Sequence, residues 1–215
     1  MPHNLAKQLI GAARHRGPES NAHGSIARAM RFLSSRFDSD AACWNDFSTN
    51  RSGSSNVWMT GYVLSRIGDC IVPSIVARAT SFLARNRHPA GGWGFNATVP
   101  PDCDSTTFVL EAGGSGGDDR ALALAFLLGH SRASGGFATY SSTAALQAFR
   151  SYGPENAYRG WTSEHACVTA EVIAYLYSID GPALRPAAEN ALAWLVSRQA
   201  TEGYWSAYWW QSRYY

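Results

Sequence analysis

The sequence has 215 residues, a length typical of one sizeable domain, and its net charge of +2 gives no indication of a nucleic acid or an anionic membrane as partner. Only 16% of the residues are charged, whereas 13% are aromatic, which excludes a disordered chain because the apolar surface to be buried is ample. No apolar stretch approaches the roughly 18–20 residues that a transmembrane helix needs. The composition therefore predicts a soluble domain with more aromatic side chains than a core usually requires.

The N-terminal region, residues 1–24, predicts a short amphipathic helix followed by a polar linker that ends at Gly24. It has no long apolar segment of the kind found in secretory signals. The four cysteines are widely spaced and form no C-x-x-C pair, which favours reduced thiols. We therefore expect a cytoplasmic protein, free or peripherally bound to a membrane, with its main domain over residues 25–215.

A repeated pattern covers this main domain. Each copy has a helix that ends in an apolar pair, then a turn, then an aromatic residue, and the copies end at Trp44, Trp93, Phe137 and Trp205. We interpret these four aromatics as structural. A second predicted helix contains a threonine suited to its N-terminus, and these threonines are Thr60, Thr106, Thr143 and Thr169. The repeat predicts stacked helical pairs, and its periodicity is compatible with an open solenoid or a toroid.

Two motifs within the repeats resemble a known family. Trp194-Leu195 followed by Gln199-x3-Gly203-x-Trp205 resembles the QW motif of squalene–hopene and oxidosqualene cyclases. The segment 101–106, Pro-Asp-Cys-Asp-Ser-Thr, is similar to the Asp-x-Asp-Asp-Thr signature of class II terpene cyclases, with Ser105 in place of the third Asp. The resemblance spans roughly residues 26–215 and implies an all-α fold, an α/α toroid, complete or open.

The same resemblance implies the acid machinery. Asp104, the middle aspartate, would donate the proton, with Asp102 as a like-charged neighbour and Ser105 as a hydrogen-bonding one. The segment 168–172 resembles the family's Val-Thr-Ala-His-Val, so Glu171 stands where the family has an acid-activating histidine. Two carboxyls that share a proton would still form a working acid. Tyr215 matches the tyrosine of the family's hydrogen-bonding relay.

The family also lines its cavity with aromatic rings, which stabilise carbocations through cation–π attraction. By motif match these rings are Trp58, Phe95, Tyr140 and Trp209. Protonation of an alkene or epoxide needs no metal, so we expect no cofactor, with Mg²⁺ relevant only if the substrate carries a diphosphate. The expected partner is an isoprenoid or terpenoid small molecule, with no nucleic acid. The family's toroid usually has more helices than 215 residues provide. The N-terminal helix could fill part of the gap; otherwise the toroid is open, the chain is a fragment, or a second copy or a partner subunit closes the ring.

The sequence thus predicts a small class II terpene cyclase that starts cyclisation of a polyprenyl substrate by protonation. Other interpretations of these residues, and other functions, stay open. Asp102 and Asp104 suit the N-terminus of a helix as caps, and Glu171 suits an exposed helix position. The chain could then be a non-catalytic toroid that binds an isoprenoid or a peptide. His165 and Cys167 resemble the His-x-Cys run of zinc-dependent protein prenyltransferases, although the neighbouring repeat supplies no ligand pair.

Overall fold

The computed structural model describes residues 19–46, 48–49, 52–150, 158, 160–179, 181–208 and 213–214. Over these ranges the chain is mainly helical. The helices are α1 (Glu19–Ser35), α2 (Asn56–Ile67), α3 (Pro73–Arg85), α4 (Cys103–Glu111), α5 (Gly117–Leu128), α6 (Ala144–Arg150), α7 (Ala166–Ser178) and α8 (Arg185–Ser197), with a 3₁₀ turn at Gly68–Cys70. Two short antiparallel pairs join β1 (Ser48–Thr49) to β2 (Gly53–Ser54) and β3 (Trp205–Ser206) to β4 (Arg213–Tyr214).

The helices form two layers. Helices α2, α4 and α7 pack side by side, with α4 in the middle, while α3, α5 and α8 pack behind them as the second helices of three hairpins. In α4 every residue from Ser105 to Leu110 is buried, as a central helix requires. In α3 only one stripe is buried, formed by Ala79, Phe82 and Leu83. This confirms the predicted all-α toroid architecture, in which α2, α4 and α7 are the inner helices.

The turn after each outer helix has the same backbone geometry. Gly91, Gly135 and Gly203 have φ angles of 104°, 100° and 89°, which favour glycine because it lacks a Cβ. In the first copy Ala42 takes φ 60°, and the carboxylate of Asp38 accepts the backbone N–H groups of the turn at 2.9 Å. The three glycines each donate an N–H to a carbonyl of the turn at 2.8 Å, the acceptors being His88, Arg132 and Ala200.

The aromatic residue after the turn ties it to the outer helix. The indole N–H groups of Trp44, Trp93 and Trp205 donate to leucine carbonyls at the ends of the preceding helices, over 2.8, 2.7 and 2.7 Å. These acceptors are Leu33, Leu83 and Leu195. A helix end leaves its last carbonyls without partners, and the indole supplies one. The interpretation of these rings as structural therefore has a direct physical basis.

The threonines of the repeat do not act as the sequence predicted. They lie inside the inner helices, and their hydroxyls accept the backbone N–H of the aromatic residue rather than capping their own helix. Thr60, Thr106 and Thr169 bond in this way to the residues Trp44, Trp93 and Phe137, over 3.0, 3.0 and 2.9 Å. Each hydroxyl thereby satisfies an N–H that is buried.

Thr143 is not a member of this set, although the local sequence places it there. Phe137 has Thr169 as its partner, and Thr143 directly precedes the short helix α6, whose residue Gln147 donates its N–H to the Thr143 carbonyl at 2.9 Å. The prediction that Thr143 opens a repeat helix is therefore wrong. The uneven spacing of the threonines arises because α6 is inserted between the third turn and α7.

The N-terminal prediction also needs correction. Helix α1 begins at Glu19, so the polar linker does not extend to Gly24, and the helix crosses the predicted boundary between residues 24 and 25. The amphipathic helix predicted upstream lies outside the described residues. Among the described helices, none has the length and apolar character needed to cross a bilayer.

Candidate active site

Asp102 is the N-cap of α4. Its carboxylate accepts the backbone N–H of Ser105 at 2.7 Å and the Ser105 hydroxyl at 2.9 Å. These bonds satisfy the start of the helix, as predicted for a capping aspartate. Burial raises the pKa of Asp102 to about 8, with a further contribution from the charge of Asp104. Ser105, which stands in place of the third aspartate of the family's signature, donates both bonds to this carboxyl, and these bonds lower its pKa against the effect of burial.

Asp104 lies in the first turn of α4 and is partly exposed, in contrast to Asp102, which is 4% exposed. Its Oδ2 accepts the indole N–H of Trp58, on α2, at 3.3 Å. Burial is the main cause that raises the pKa of Asp104 to about 6, and Glu171 adds to the effect, whereas Trp58 and Arg66 oppose it. The Asp104 side chain is thus accessible and has a pKa close to neutral pH.

Aromatic rings continue from this carboxyl along the two inner helices. Trp58 and Tyr62, one turn apart on α2, stack with ring centroids 5.6 Å apart and an interplanar angle of 2°. The ring of Phe108, on α4, lies edge-on to both, with its centroid 5.9 Å from that of Trp58 and 5.2 Å from that of Tyr62. Ring faces beside an acid are what a developing carbocation requires.

A charged cluster ends this row of rings. The Arg66 guanidinium carbon lies 5.7 Å from the ring centroid of Tyr62 and 5.3 Å from that of Phe108. Arg66 also forms ion pairs with Glu171 of α7 and with Glu111 of α4, the latter at 3.4 Å. Burial raises the pKa of Glu111 to about 7, against the lowering effect of Arg66. The cluster joins the three inner helices α2, α4 and α7.

Gly61 allows α2 and α4 to approach closely enough to form this face. A Cβ built on Gly61 would lie 3.0 Å from the Val109 Cγ2 atom and 3.3 Å from the Val109 backbone nitrogen. Any larger side chain would therefore push the helices apart. The contact sets the register in which Trp58 faces Asp104 and Arg66 faces Glu111.

The structure brings together several of the residues that the sequence singled out. Asp102, Asp104 and Ser105 share the first turn of α4, and Trp58 donates to Asp104. The Phe95 carbonyl accepts the backbone N–H of Trp58 at 3.3 Å, which places Phe95 beside the start of α2.

The other predicted site residues lie elsewhere. Glu171 reaches the site through its ion pair with Arg66, and so it is not a free surface residue. Tyr140 belongs to a separate buried cluster and stacks on Trp161 with centroids 6.0 Å apart. Trp209 and Tyr215 lie outside the described residues.

Sequence reasoning missed four residues of this face: Tyr62, Arg66, Phe108 and Glu111. A signal was present, because Trp58, Tyr62 and Arg66 follow one another at intervals of about one helical turn, which places them on one face of α2. What the pattern could not show is which face of α4 would meet them. That depends on the close contact at Gly61.

The predicted zinc alternative finds no support in the geometry. His165 directs its Nε2 to the Gly160 carbonyl at 2.8 Å, and its ring meets the edge of Tyr208 at a centroid distance of 4.4 Å. Burial lowers the pKa of His165. Within the described ranges, no three His, Cys, Asp or Glu side chains are grouped so that they could hold a metal ion.

Comparison with known proteins gives matches to solved structures alone. No family model matches the sequence, and no curated protein matches it significantly. The apo structure of the type II terpene cyclase MstE from Scytonema is 26% identical with a TM-score of 0.73, over 88% of this chain and 55% of that one. A variant of MstE in complex with its substrate, geranylgeranyl dihydroxybenzoate, is 26% identical with a TM-score of 0.72, over 87% and 54%. A protein from Actinoplanes is 29% identical with a TM-score of 0.71, over 87% and 55%.

The chain therefore has the fold of the class II terpene cyclases. It spans about half the length of the solved structures that it matches. Several of the matched structures are of MstE, a type II terpene cyclase whose structures include complexes with substrate and with product.

Proposed function

We propose that this protein is a small class II terpene cyclase in which Asp104 protonates a polyprenyl substrate and starts ring closure. The observation that carries the proposal is the position of Asp104. It is a partly exposed carboxyl with a raised pKa, it is bonded to Trp58, and it stands at the end of a row of aromatic rings. The similarity to MstE, whose structures contain a terpenoid substrate and a product, supports the same activity.

The proposed reaction moves one proton in and one proton out. The Asp104 carboxyl transfers its proton to one carbon of the terminal alkene, and the π electrons form the new C–H bond, leaving a carbocation on the neighbouring carbon. An internal alkene then attacks that cation and closes a ring. Loss of a proton from the last cation to a base gives a neutral cyclic product, so the substrate is isomerised.

The neighbouring groups have distinct proposed roles. The rings of Trp58, Tyr62 and Phe108 stabilise the cation by cation–π attraction, which is worth about 0.5–1 kcal/mol at an exposed ring and roughly 2 kcal/mol at a desolvated one. Asp102, neutral at pH 7, holds the start of α4 without adding a second negative charge next to the acid. Glu171 adjusts the proton affinity of Asp104 together with Arg66.

The other residues are proposed from the motif match. The Phe95 carbonyl accepts the backbone N–H of Trp58, and we propose that Phe95 contacts the substrate. Tyr140, in its separate cluster, is proposed to bind a more distant part of the substrate. Roles for Trp209 as a cavity ring and Tyr215 in the acid's relay rest on the sequence resemblance alone.

The test is conversion of a polyprenyl substrate by the purified protein. Geranylgeraniol is incubated with the wild type, with Asp104→Asn and with Asp118→Asn, and the products are separated by gas chromatography and identified by mass spectrometry. We expect cyclic isomers with the wild type and with Asp118→Asn, an exposed aspartate of α5, and at least a hundredfold less with Asp104→Asn. Full activity of Asp104→Asn would show that another group is the acid.

A second function, binding of an isoprenoid without catalysis, is favoured by one observation. With a pKa of about 6, Asp104 is mostly ionised at neutral pH and so mostly lacks the proton that the reaction needs. Saturable binding of geranylgeraniol with no product at pH 5 or pH 7 would establish this function in place of the first. Product that increases towards pH 5 would exclude it.

A further inference from the structure

The charged cluster at the end of the aromatic row suggests which substrates the site accepts. We propose, on the basis of the proposed function, that Arg66, Glu111 and Glu171 select a polyprenyl substrate with an uncharged head group and reject a diphosphate head. The proposal depends on two features of the structure. One is the direction in which a substrate can extend from Asp104, and the other is the charge that it meets there.

The exposure of the side chains indicates the direction. The polar residues that directly precede α2 and α4, Ser55 and Asp102, are buried. Further along α2, Tyr62 is 40% exposed and the Arg66 side chain is 37% exposed. Arg66 lies eight residues beyond Trp58 on α2, about 12 Å along the helix axis. A substrate whose terminal alkene meets Asp104 therefore runs over Tyr62 towards Arg66.

The charged side chains at that end of the row are already paired with one another. Arg66 contributes one positive charge, whereas Glu111 and Glu171 contribute two negative charges when both are ionised and one when Glu111 is protonated. The net charge of the cluster is thus −1 or 0. An anionic head group meets no free cation here.

Binding an anion would also require Arg66 to abandon its present partners. If the guanidinium turned to a diphosphate, Glu111 and Glu171 would be left without their cation and would face the new negative charge. The two carboxylates would then repel the diphosphate, which weakens its binding. A hydroxyl group avoids this repulsion, because it can donate a hydrogen bond to a carboxylate while the ion pairs stay in place. A prenyl alcohol or a prenylated phenol has the required chemistry.

Arg132, a further cation near α4 among the described residues, does not change the balance. Arg132 contributes to the electrostatics of Cys103, at the start of α4. Its guanidinium is held by backbone carbonyls, those of Tyr140 at 2.9 Å and Thr162 at 2.8 Å. It therefore remains bound within its own loop.

The experiment compares geranylgeraniol with geranylgeranyl diphosphate, two ligands that share one chain and differ in the head group. Their dissociation constants are measured by titration calorimetry at one ionic strength, for the wild type and for Asp104→Asn, in which substrate is not consumed. We expect the alcohol to bind at least about tenfold more tightly than the diphosphate. In Glu111→Gln/Glu171→Gln, Arg66 is free of both carboxylates, and the diphosphate should gain at least about tenfold in affinity.

The matched control is Glu189→Gln/Glu202→Gln, which makes the same change in net charge at two exposed positions in and after α8. It should leave both dissociation constants within about twofold. An equal gain for the diphosphate in this control would overturn the proposal, since the effect would then come from overall charge. Diphosphate binding as tight as that of the alcohol in the wild type would overturn it even if the double variant failed to fold.

The outcomes separate this proposal from the one on which it rests. A preference for the alcohol without any cyclic product would support the head-group selection and contradict the cyclase activity. Product formed from the diphosphate as efficiently as from the alcohol would support the cyclase activity and overturn the head-group selection. If neither ligand bound, both proposals would be wrong.

Discussion

At the scale of single residues, Asp104 differs from Asp102 in what each can do. Asp102 is buried and accepts two bonds from Ser105, whereas Asp104 is partly exposed and accepts one from Trp58. The first suits a cap and the second suits an acid. The resemblance already separated the two carboxyls, with Asp104 as the proposed acid, and the side-chain geometry adds the physical difference between them.

Activity should depend on pH through Asp104. A general acid works in its protonated form, so activity should fall as pH rises through about 6, the raised pKa of this carboxyl. Burial is the main cause of that pKa and the charge of Glu171 adds to it. Glu171→Gln should therefore move the falling limb to lower pH, by up to about one unit. The measurement is the initial rate from pH 4.5 to 8, and a limb that moved upwards would contradict this role of Glu171.

Stability should depend on pH through Asp102. In the folded state its pKa is about 8, above the value of 3.8 for a free aspartate, so the folded protein retains a proton that the unfolded chain loses. Its contribution to stability is complete at low pH and is lost as pH rises, at about 1.4 kcal/mol per unit between roughly pH 4 and pH 8. Asp102→Asn should remove this part of the slope and leave the parts that come from the raised pKa values of Asp104 and Glu111. Urea unfolding at pH 5 and pH 7 measures it, and an unchanged slope in the variant would refute the assignment.

At the scale of the elements, the repeat is held by one recurring pair of bonds. An aromatic residue donates its backbone N–H to a threonine of the inner helix, and where the residue is Trp its indole donates to the end of the outer helix. The same two contacts join turn, inner helix and outer helix in successive copies. The spacing of Thr and Trp in the sequence follows from this geometry.

The threonine bonds can be tested with a pair of matched variants. Thr169→Val removes the acceptor for the Phe137 N–H and leaves it buried and unpaired, which should cost about 1–3 kcal/mol of unfolding free energy. Thr143→Val makes the same change at the threonine that is not part of the set. Because Thr143 directly precedes α6, at its N-cap position, the variant should cost less, about 0.5–1 kcal/mol. Equal losses in the two variants would show that the repeat assignment is wrong.

The contact between α2 and α4 offers a further test. Alanine normally stabilises a helix by up to about 1 kcal/mol relative to glycine. At Gly61 the added methyl would meet Val109 at 3.0 Å, so we expect a net loss of about 1–2 kcal/mol. Gly24→Ala is the control, because its nearest neighbour is the flexible end of Arg28 at 3.4 Å. Thermal unfolding should show a loss for the first variant and a gain or no change for the second.

At the scale of the whole molecule, the sequence predicted the architecture better than it predicted which side chains meet at the candidate site. The repeats are local patterns, so the helical pairs, the turns and the buried tryptophans could be predicted from them, whereas the toroid followed from the family resemblance. Thr143 misled because it carries the same local pattern as Thr169, and only the bond to Phe137 distinguishes the two. Arg66 and Glu111 could not be paired in advance, because their meeting depends on how α2 and α4 pack.

The charge distribution over the inner helices fits a single direction of substrate binding. The acid Asp104 lies at one end, uncharged rings occupy the middle, and the balanced cluster of Arg66 with its two glutamates closes the other end. The terminal alkene of the substrate would then meet Asp104, its apolar chain would meet the rings, and its polar head would meet the charged cluster. This arrangement links the fold to the proposed chemistry.

The central claim, that Asp104 starts cyclisation by protonating the substrate, is tested most directly by running the reaction in D₂O. The proton that Asp104 transfers comes from solvent, so the cyclic product should carry one deuterium at the carbon that is protonated first. Mass spectrometry of the product from geranylgeraniol should therefore show a shift of one mass unit with the wild type and no product with Asp104→Asn. A cyclic product without deuterium, or equal labelled product from Asp104→Asn, would contradict the account.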